Sequence, residues 1–183
     1  MPHFPGAGVG GECIPVDTWY LISQAQELGI DTKLMKVARS VNDSMPEHVV
    51  SILEYEFDKI DKDISSSQVT ILGLCYKKNI PDIRLSPTFP LIEKLTAKNV
   101  NTIVCDPVYE KINSPVKLTP INDSFKNSDA ILLITDHDDF QNLDFENISN
   151  DMNTKIIIDG RNFFNHEILD KFGFTYRAIG KPE

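Results

Sequence analysis

The chain has 183 residues and a formal net charge of −9, which leaves room for one ordinary domain with an extension. Its content of 41% hydrophobic and 25% charged residues is typical of a soluble globular protein. The acidic balance argues against a nucleic-acid binder, and neither a membrane span nor a secretion signal is expected from the hydropathy pattern. Three cysteines without CxxC spacing predict reduced thiols in a cytoplasmic protein rather than a disulfide framework.

Residues 1–64 are predicted to form a glycine-rich loop followed by helices. The glycines cluster in residues 5–12, and a helix is predicted from Asp17 to Leu28. Apolar residues then recur at gaps of three and four between Leu34 and Ile64, as on one face of a helix. Pro46 interrupts this stripe, so a break or kink is predicted there. Such a long stripe is expected to contact another chain or domain over part of its length.

Residues 65–183 are predicted to form an α/β domain after a polar linker. Strands are predicted at residues 69–74, 102–106, 129–135 and 155–159, with an edge strand at 174–179. Helices are predicted at residues 87–98, 121–127 and 163–172. Continuous apolar strands that alternate with helices indicate a Rossmann-like parallel sheet with helices on both faces. Ligands of such sheets bind beyond the carboxyl ends of the strands.

The glycine-rich segment matches the pattern GxGxxG between Gly6 and Gly11, but its context argues against a dinucleotide fingerprint. That fingerprint must follow a strand and open a helix. Here two prolines precede the glycines and Cys13-Ile-Pro follows them. The segment is interpreted instead as a loop whose backbone approaches a ligand or displays a nucleophile in an exposed turn.

The sequence allows two interpretations of Cys13, which follows the glycine-rich loop. Cys13 is either a small buried hydrophobic residue, as most free cysteines are, or an accessible nucleophile with Asp17 four residues later. Cys75 and Cys105 lie at strand ends in apolar surroundings, and we predict that both are core thiols.

Basic residues follow the first and fourth predicted strands. Lys77, Lys78 and Arg84 come after the first, and Arg161 comes after the fourth. They are interpreted as a diphosphate site, with solvated surface charge as the alternative. The stretch 135–139 combines one histidine with three acids, which is weak evidence for a metal; we predict a polar loop and no metal site.

At this point a family resemblance becomes visible. The segment Gly8–Asp17 resembles the catalytic-cysteine segment of the UDP-glucose/GDP-mannose dehydrogenase family, and residues 72–87 resemble its carboxyl-terminal UDP-binding motif. Two further landmarks of the family are matched by residues 104–107 and 159–161. The glycine spacing and the stretch 41–46 are more similar to the UDP-N-acetylhexosamine branch than to UDP-glucose dehydrogenases.

The resemblance implies oxidation of a sugar C6 alcohol to a carboxylate, with NAD as the cofactor. It assigns Cys13 as the nucleophile that attacks the intermediate aldehyde, and Asp17 as the group that assists proton transfer or positions water. Glu12 would lie near the cofactor, and Arg84 would reach toward the NAD phosphates. Val16 departs from the family pattern, in which many relatives have lysine; this affects a cofactor contact and not the nucleophile.

The resemblance also implies a UDP-sugar substrate and a homodimer. Gly10 would lie against the sugar, and Lys77 and Arg161 would hold the UDP moiety. The central helical stripe, residues 34–64, would form the dimer contact. The family's amino-terminal NAD-binding domain would precede Met1, so the chain is expected to be the carboxyl-terminal portion of such an enzyme and inactive by itself.

Two other functions remain open at the level of sequence. The chain could be a stand-alone nucleotide-sugar-binding or dimerisation module without catalytic activity. It could also be an independent cysteine enzyme in which Cys13 works with His3 or His48. The second alternative is disfavoured because neither histidine has a convincing spacing and the cluster of cations would be unexplained.

Overall fold

Five parallel strands form one sheet in the computed structural model, which describes residues 4–109 and 116–181. His3, named above as a candidate base, lies outside the described residues. The strands are β1 Gln68–Leu72, β2 Asn101–Cys105, β3 Ala130–Leu133, β4 Ile156–Asp159 and β5 Thr175–Ala178. Their order across the sheet is β2-β1-β3-β4-β5. The predicted Rossmann-like α/β fold is confirmed, including the edge position of the last strand.

Five helices accompany the sheet in the described residues. They are α1 Thr18–Glu27, α2 Lys33–Asp58, α3 Thr88–Ala97, α4 Phe145–Asp151 and α5 His166–Lys171. The prediction did not include α4, which begins where the Asp144 carboxylate accepts a hydrogen bond from the Asn147 amide. The helix predicted at 121–127 is only a short 3-10 turn, Ile121–Asp123. There the Ser124 hydroxyl donates to the Pro120 carbonyl and competes with a longer helix.

Helix α2 has two halves with different surroundings. It continues through Pro46 without a break, although the proline nitrogen cannot donate to the carbonyl one turn earlier. The second half is part of the core, since Val50, Leu53 and Phe57 are fully buried. The first half leaves Leu34 83% exposed. Neither α2 nor any other helix of the described residues is both long and apolar enough to cross a membrane.

Apolar side chains alternate between the two faces of the sheet. In β3, Ala130 and Leu132 pack in the core that α2 and α3 cover, whereas Ile131 and Leu133 pack in the core on the side of α4 and α5. Successive side chains of a strand point to opposite faces. A strand covered on both faces must therefore be apolar throughout, which explains the continuous apolar runs in the sequence.

We expect Leu53→Ala to lower the free energy of unfolding by about 2–5 kcal/mol, because it leaves a cavity in the layer between α2 and the sheet. Urea unfolding monitored by circular dichroism measures this change. The matched control is Leu28→Ala, at a side chain that is 77% exposed, where a change within about 0.5 kcal/mol is expected. Equal effects of the two substitutions would contradict the described packing.

Candidate functional site

The glycine-rich loop, residues 5–12, lies across the carboxyl ends of β3 and β4. Ala7 is only 2% exposed. A methyl group built on Gly6 would lie 3.1 Å from Arg161 Nη1 and 3.2 Å from the Gly160 carbonyl oxygen. A side chain at Gly6 would therefore force the turn that follows β4 to shift by a few tenths of an ångström.

The same loop packs against the long connection between β1 and α3, called here the β1–α3 loop (residues 73–87). A methyl group on Gly10 would lie 2.5 Å from Tyr76 Cβ and 2.7 Å from the Leu85 carbonyl oxygen. The Gly11 amide donates a 2.8 Å hydrogen bond to the Arg84 carbonyl. A side chain at Gly10 would not fit here, so the glycines bring two loops into direct backbone contact.

Helix α2 also holds the glycine-rich loop. The Val9 amide donates a 3.0 Å hydrogen bond to Asn42 Oδ1. A cavity of about 440 Å³ lies beside this contact, with Arg39 and Pro87 among its lining residues. Asn42 does not stand out in the sequence, since nothing in the helical periodicity distinguishes it from other polar positions.

Cys13 begins a short π-helical turn, Cys13–Asp17, that leads directly into α1. The thiol is free and exposed, and Asp17 is exposed at the end of the same turn. Pro15 is buried and anchors the turn. Since π-helical turns are frequent at functional sites, the accessible thiol is notable, and the interpretation of Cys13 as a buried hydrophobic residue is wrong.

Glu12 and Arg84, the two residues that the resemblance assigned to the cofactor, form an ion pair. Arg84 Nη1 lies 2.6 Å from Glu12 Oε2. On its other side the guanidinium forms hydrogen bonds to both oxygens of Asp82. These hydrogen bonds lower the pKa of Asp82. The pair lies at the surface, with 56% of the Arg84 side chain exposed.

Arg161 is held by two carboxylates. Its Nε lies 3.2 Å from Asp136 Oδ1, and its backbone amide donates to Asp159 Oδ1 at 2.8 Å. Asp159 is completely buried and also accepts hydrogen bonds from the Phe163 amide and the Tyr176 hydroxyl. Burial and the adjacent carboxylate raise the pKa of Tyr176, so the phenol stays protonated.

The two lysines of the β1–α3 loop differ in their surroundings. Lys78 Nζ forms a 2.6 Å ion pair with Asp138 Oδ1. Lys77 is exposed, and no acidic partner for it is found within residues 4–109 and 116–181. Lys77 is therefore available to an external anion, whereas Lys78 is already paired.

A buried network of polar groups joins the ends of β1, β2 and β3. Asp106 Oδ2 accepts hydrogen bonds from the Leu74 and Cys75 amides, both at 2.7 Å. It also lies 3.2 Å from His137 Nε2. Burial by itself would raise the pKa of Asp106, but the hydrogen bonds from His137 and the backbone amides outweigh it and lower this pKa to about 2.

These side chains also meet a distance criterion for metal ligands, because ligand atoms of Cys75, Asp106 and His137 lie within 4.8 Å of one another. In this structure these groups are hydrogen-bonded to one another and to the backbone. Burial, together with the Asp106 carboxylate, raises the pKa of Cys75 to about 12, which keeps the thiol protonated. His137 Nδ1 is occupied as the acceptor of the Asn79 amide at 2.9 Å. Hydrogen bonds already engage all three groups.

The outcome for the remaining sequence predictions is mixed. Cys75 and Cys105 are both buried, as predicted for core thiols. Residues 135–137 form a loop after β3, but a 3-10 helix begins at Asp138, and His137 is completely buried. Tyr76, Asp106 and His137 were missed as contributors to the site. Tyr76 and Asp106 lie in segments that resemble those of the family, whereas the position of His137 shortly after a strand was its one signal in the sequence.

Known proteins are similar to this chain in sequence and in fold. A UDP-N-acetyl-D-mannosamine dehydrogenase of Methanococcus aeolicus is 35% identical over 96% of this chain and 39% of its own length. The structure of the UDP-D-ManNAc dehydrogenase from Pyrococcus horikoshii superposes with a TM-score of 0.84 at 32% identity, over 97% of this chain and 40% of that one. The NDP-N-acetyl-D-galactosaminuronic acid dehydrogenase of Methanosarcina mazei gives 0.88 at 28% identity, over 98% and 40%.

The chain thus spans about two fifths of the length of the relatives it matches. Residues 70–166 match the UDP-binding domain of the UDP-glucose/GDP-mannose dehydrogenase family, and residues 1–44 match the central domain of that family. The first match contains the β1–α3 loop and Arg161, and the second contains the glycine-rich loop and Cys13. This protein belongs to the UDP-glucose/GDP-mannose dehydrogenase family.

Proposed function

We propose that this chain supplies the cysteine and the UDP-sugar site of an NAD-dependent UDP-sugar 6-dehydrogenase. The observation that carries the proposal is the packing of one loop against two others. The glycine-rich loop presents the exposed thiol of Cys13. The same loop contacts the β1–α3 loop through Gly10 and the turn after β4 through Gly6. A nucleophile and two groups of cations are therefore arranged along one edge of the sheet.

A UDP-N-acetylhexosamine is the substrate class that the relatives favour. Proteins named UDP-N-acetyl-D-mannosamine dehydrogenase reach 35% identity with this chain, whereas a UDP-glucose 6-dehydrogenase of Rhizobium meliloti is 30% identical. The diphosphate would be bound by Lys77 and Arg161. Gly10 would lie against the sugar through its backbone, since Tyr76 and the Leu85 carbonyl occupy the space where a side chain would be.

In the proposed mechanism Cys13 is the nucleophile. Its thiolate adds to the carbonyl carbon of the C6 aldehyde and forms a thiohemiacetal, and the oxidised form of this adduct is a thioester. Water then attacks the thioester carbonyl, the C–S bond breaks, and the thiolate leaves with the bonding electrons. Asp17, one π-helical turn after Cys13, would position this water and accept its proton. NAD, when bound, supplies the hydride acceptor for the two oxidations.

The residues of this chain could supply only a few of the contacts of an NAD site. The glycine-rich loop is not preceded by a strand in the described residues and opens into a π-helical turn, so it lacks the phosphate cradle of a dinucleotide fingerprint. Arg84 remains, exposed and oriented by Glu12 and Asp82, as the group that would contact a phosphate. Most of the NAD contacts would come from the part of the relatives that this chain does not span.

A homodimer through α1 and the first half of α2 is part of the proposal. Apolar side chains in these helices remain exposed, among them Tyr20 at 69%, Val37 at 59% and Val41 at 57%. Contiguous exposed apolar surface marks a contact site in most proteins. The predicted apolar stripe of residues 34–64 therefore has two parts. Its second half packs against the sheet, and its first half would contact a second copy of the chain.

The stand-alone binding module without catalytic activity is the alternative function. It shares the diphosphate site with the first proposal and differs in what Cys13 does. The exposure of this thiol at the head of a π-helical turn favours catalysis, because a binding module does not require an accessible nucleophile.

The cytoplasmic location inferred from the sequence stays a prediction, supported by the three free cysteines.

We expect UDP to bind to this chain, and Lys77→Ala or Arg161→Ala to weaken the binding about ten- to a hundredfold each. Each substitution removes a charged hydrogen-bond donor to the diphosphate, a loss of about 1.5–3 kcal/mol. Isothermal titration calorimetry measures the affinity. Lys98→Ala is the control, since this lysine is paired with Glu54 between α3 and α2. Unchanged affinity in the Lys77→Ala, Arg161→Ala double variant would rule out the assigned site.

We expect no NADH production from this chain alone, and turnover once it is combined with the NAD-binding portion of the Pyrococcus horikoshii relative. Cys13→Ser should lower the rate of that turnover at least about a thousandfold, because an alkoxide forms far less readily than a thiolate. UDP affinity of the same variant should stay unchanged. NADH absorbance measures the rate, and turnover that survives Cys13→Ser would support a role outside catalysis.

We expect the chain to sediment as a dimer at micromolar concentration and Val37→Asp with Val41→Asp to convert it to a monomer. A carboxylate is costly to bury in an apolar interface. Analytical ultracentrifugation measures the mass. The control Ile168→Asp changes a side chain of α5 that is 44% exposed and should leave the dimer intact. A wild-type monomer would contradict the proposed contact.

A further inference from the structure

The β1–α3 loop carries Lys77 and Arg84, yet it contains no helix or strand. Its internal contacts include a 3.0 Å hydrogen bond from the Tyr76 amide to the Asp82 carbonyl. Asn79, at the turn of the loop, has a φ of 56°, a conformation that asparagine tolerates better than most residues. Such local contacts shape the loop but do not fix it relative to the sheet. The Gly73 amide and the Cys75 carbonyl are hydrogen-bonded to Cys105 and Thr135 near the sheet, and two buried side chains that follow β2 and β3 extend this attachment further along the loop.

Asp106 fixes the start of the loop. This carboxylate directly follows β2 and is 1% exposed. Its Oδ2 accepts the hydrogen bonds from the amides of Leu74 and Cys75, while Oδ1 accepts those from the amides of Val108 and Tyr109. One side chain therefore ties the segment after β1 to the segment after β2.

His137 fixes the turn of the loop. Its Nδ1 accepts a hydrogen bond from the Asn79 amide at 2.9 Å, and a nitrogen that accepts carries no proton. The proton of the neutral ring is then on Nε2, which donates to Asp106 Oδ2 at 3.2 Å. The imidazole thus links a carboxylate at the end of β2 to a backbone amide of the β1–α3 loop.

The surface side of the same turn reinforces this link. Asn79 Nδ2 donates to Asp138 Oδ2 at 2.6 Å, and the Asp138 amide donates to Asn79 Oδ1 at 3.1 Å. The neighbouring Lys78 pairs with the other oxygen of Asp138. His137 and Asp138 are adjacent in sequence, so a single segment after β3 holds the turn from inside and from outside.

We propose that Asp106 and His137 are positioning residues for nucleotide recognition: Asp106 through the Leu74 and Cys75 amides, and His137 through the Asn79 amide, hold the β1–α3 loop in the conformation that presents Lys77. The proposal rests on the proposed function in that the loop binds the diphosphate of a UDP-sugar. His137 itself is completely buried and acts only through the loop backbone.

Three substitutions of His137 separate this role from general stability. His137→Asn keeps an acceptor where Nδ1 stood, because the Asn amide oxygen occupies the corresponding position one bond from Cγ. His137→Gln places its amide near the Nε2 position instead and leaves the Asn79 amide without a partner. His137→Phe keeps the ring contact with Phe140 and supplies neither hydrogen bond. His166→Asn, at an exposed histidine, is the matched control.

Calorimetric titration of the full chain with UDP, together with hydrogen exchange of the Asn79 amide, tests the proposal. We expect His137→Gln and His137→Phe to weaken UDP binding about tenfold and to speed exchange at Asn79 about tenfold. His137→Asn and the His166→Asn control should remain within about threefold of wild type. A merely structural role would instead lower affinity in step with the melting temperature for Asn and Gln alike.

Each result has a defined meaning. Wild-type affinity in His137→Gln, or equal losses in His137→Asn and His137→Gln, overturns the proposal. If His137→Phe does not fold, the comparison of Asn with Gln decides. If the wild-type chain does not bind UDP, the proposed function fails, and exchange at Asn79 then decides the positioning role. Faster exchange in Gln but not in Asn supports that role, and equal exchange rates overturn it.

Discussion

The contact between the glycine-rich loop and the β1–α3 loop is the constraint on which the rest of the site depends. A side chain at Gly10 would collide with Tyr76 and with the Leu85 carbonyl, so the two backbones can meet only because glycine is there. This contact joins a segment from one family domain to the principal loop of another. It brings the exposed thiol of Cys13 to the edge of the sheet where the cations lie.

Buried carboxylates hold both cationic segments. Asp106 after β2 fixes the β1–α3 loop through backbone amides, and Asp159, the last residue of β4, fixes the turn of Arg161 in the same way. Parallel strands end on one side of the sheet, so acids at these ends are ideally located to bind the amides of the following loops. The sheet thereby provides a rigid frame for loops that contain little regular structure of their own.

The sequence predicted those features that depend on local pattern and missed those that depend on distant contacts. Strand positions followed from apolar runs, and the thiol of Cys13 stood out from its glycine-rich context. Helix α4 was missed because its stabilising contacts, such as that of Phe145 with Phe174, join residues far apart in the chain. His137 was predicted to be part of a polar loop. No local pattern in the sequence indicates its hydrogen bond with Asp106, a residue that follows a different strand.

The acidic partners of the cations affect how the site meets its ligand. Arg84 is paired with Glu12, Arg161 with Asp136, and Lys78 with Asp138, so the positive charge is largely compensated at distances beyond about 10 Å in physiological salt. Lys77 has no acidic partner in the described residues, whereas an anion that bound to one of the other three cations would have to replace the carboxylate paired with it. In the proposed diphosphate site selectivity would arise from this exchange at short range, and in an acidic protein long-range steering of the encounter is correspondingly weak.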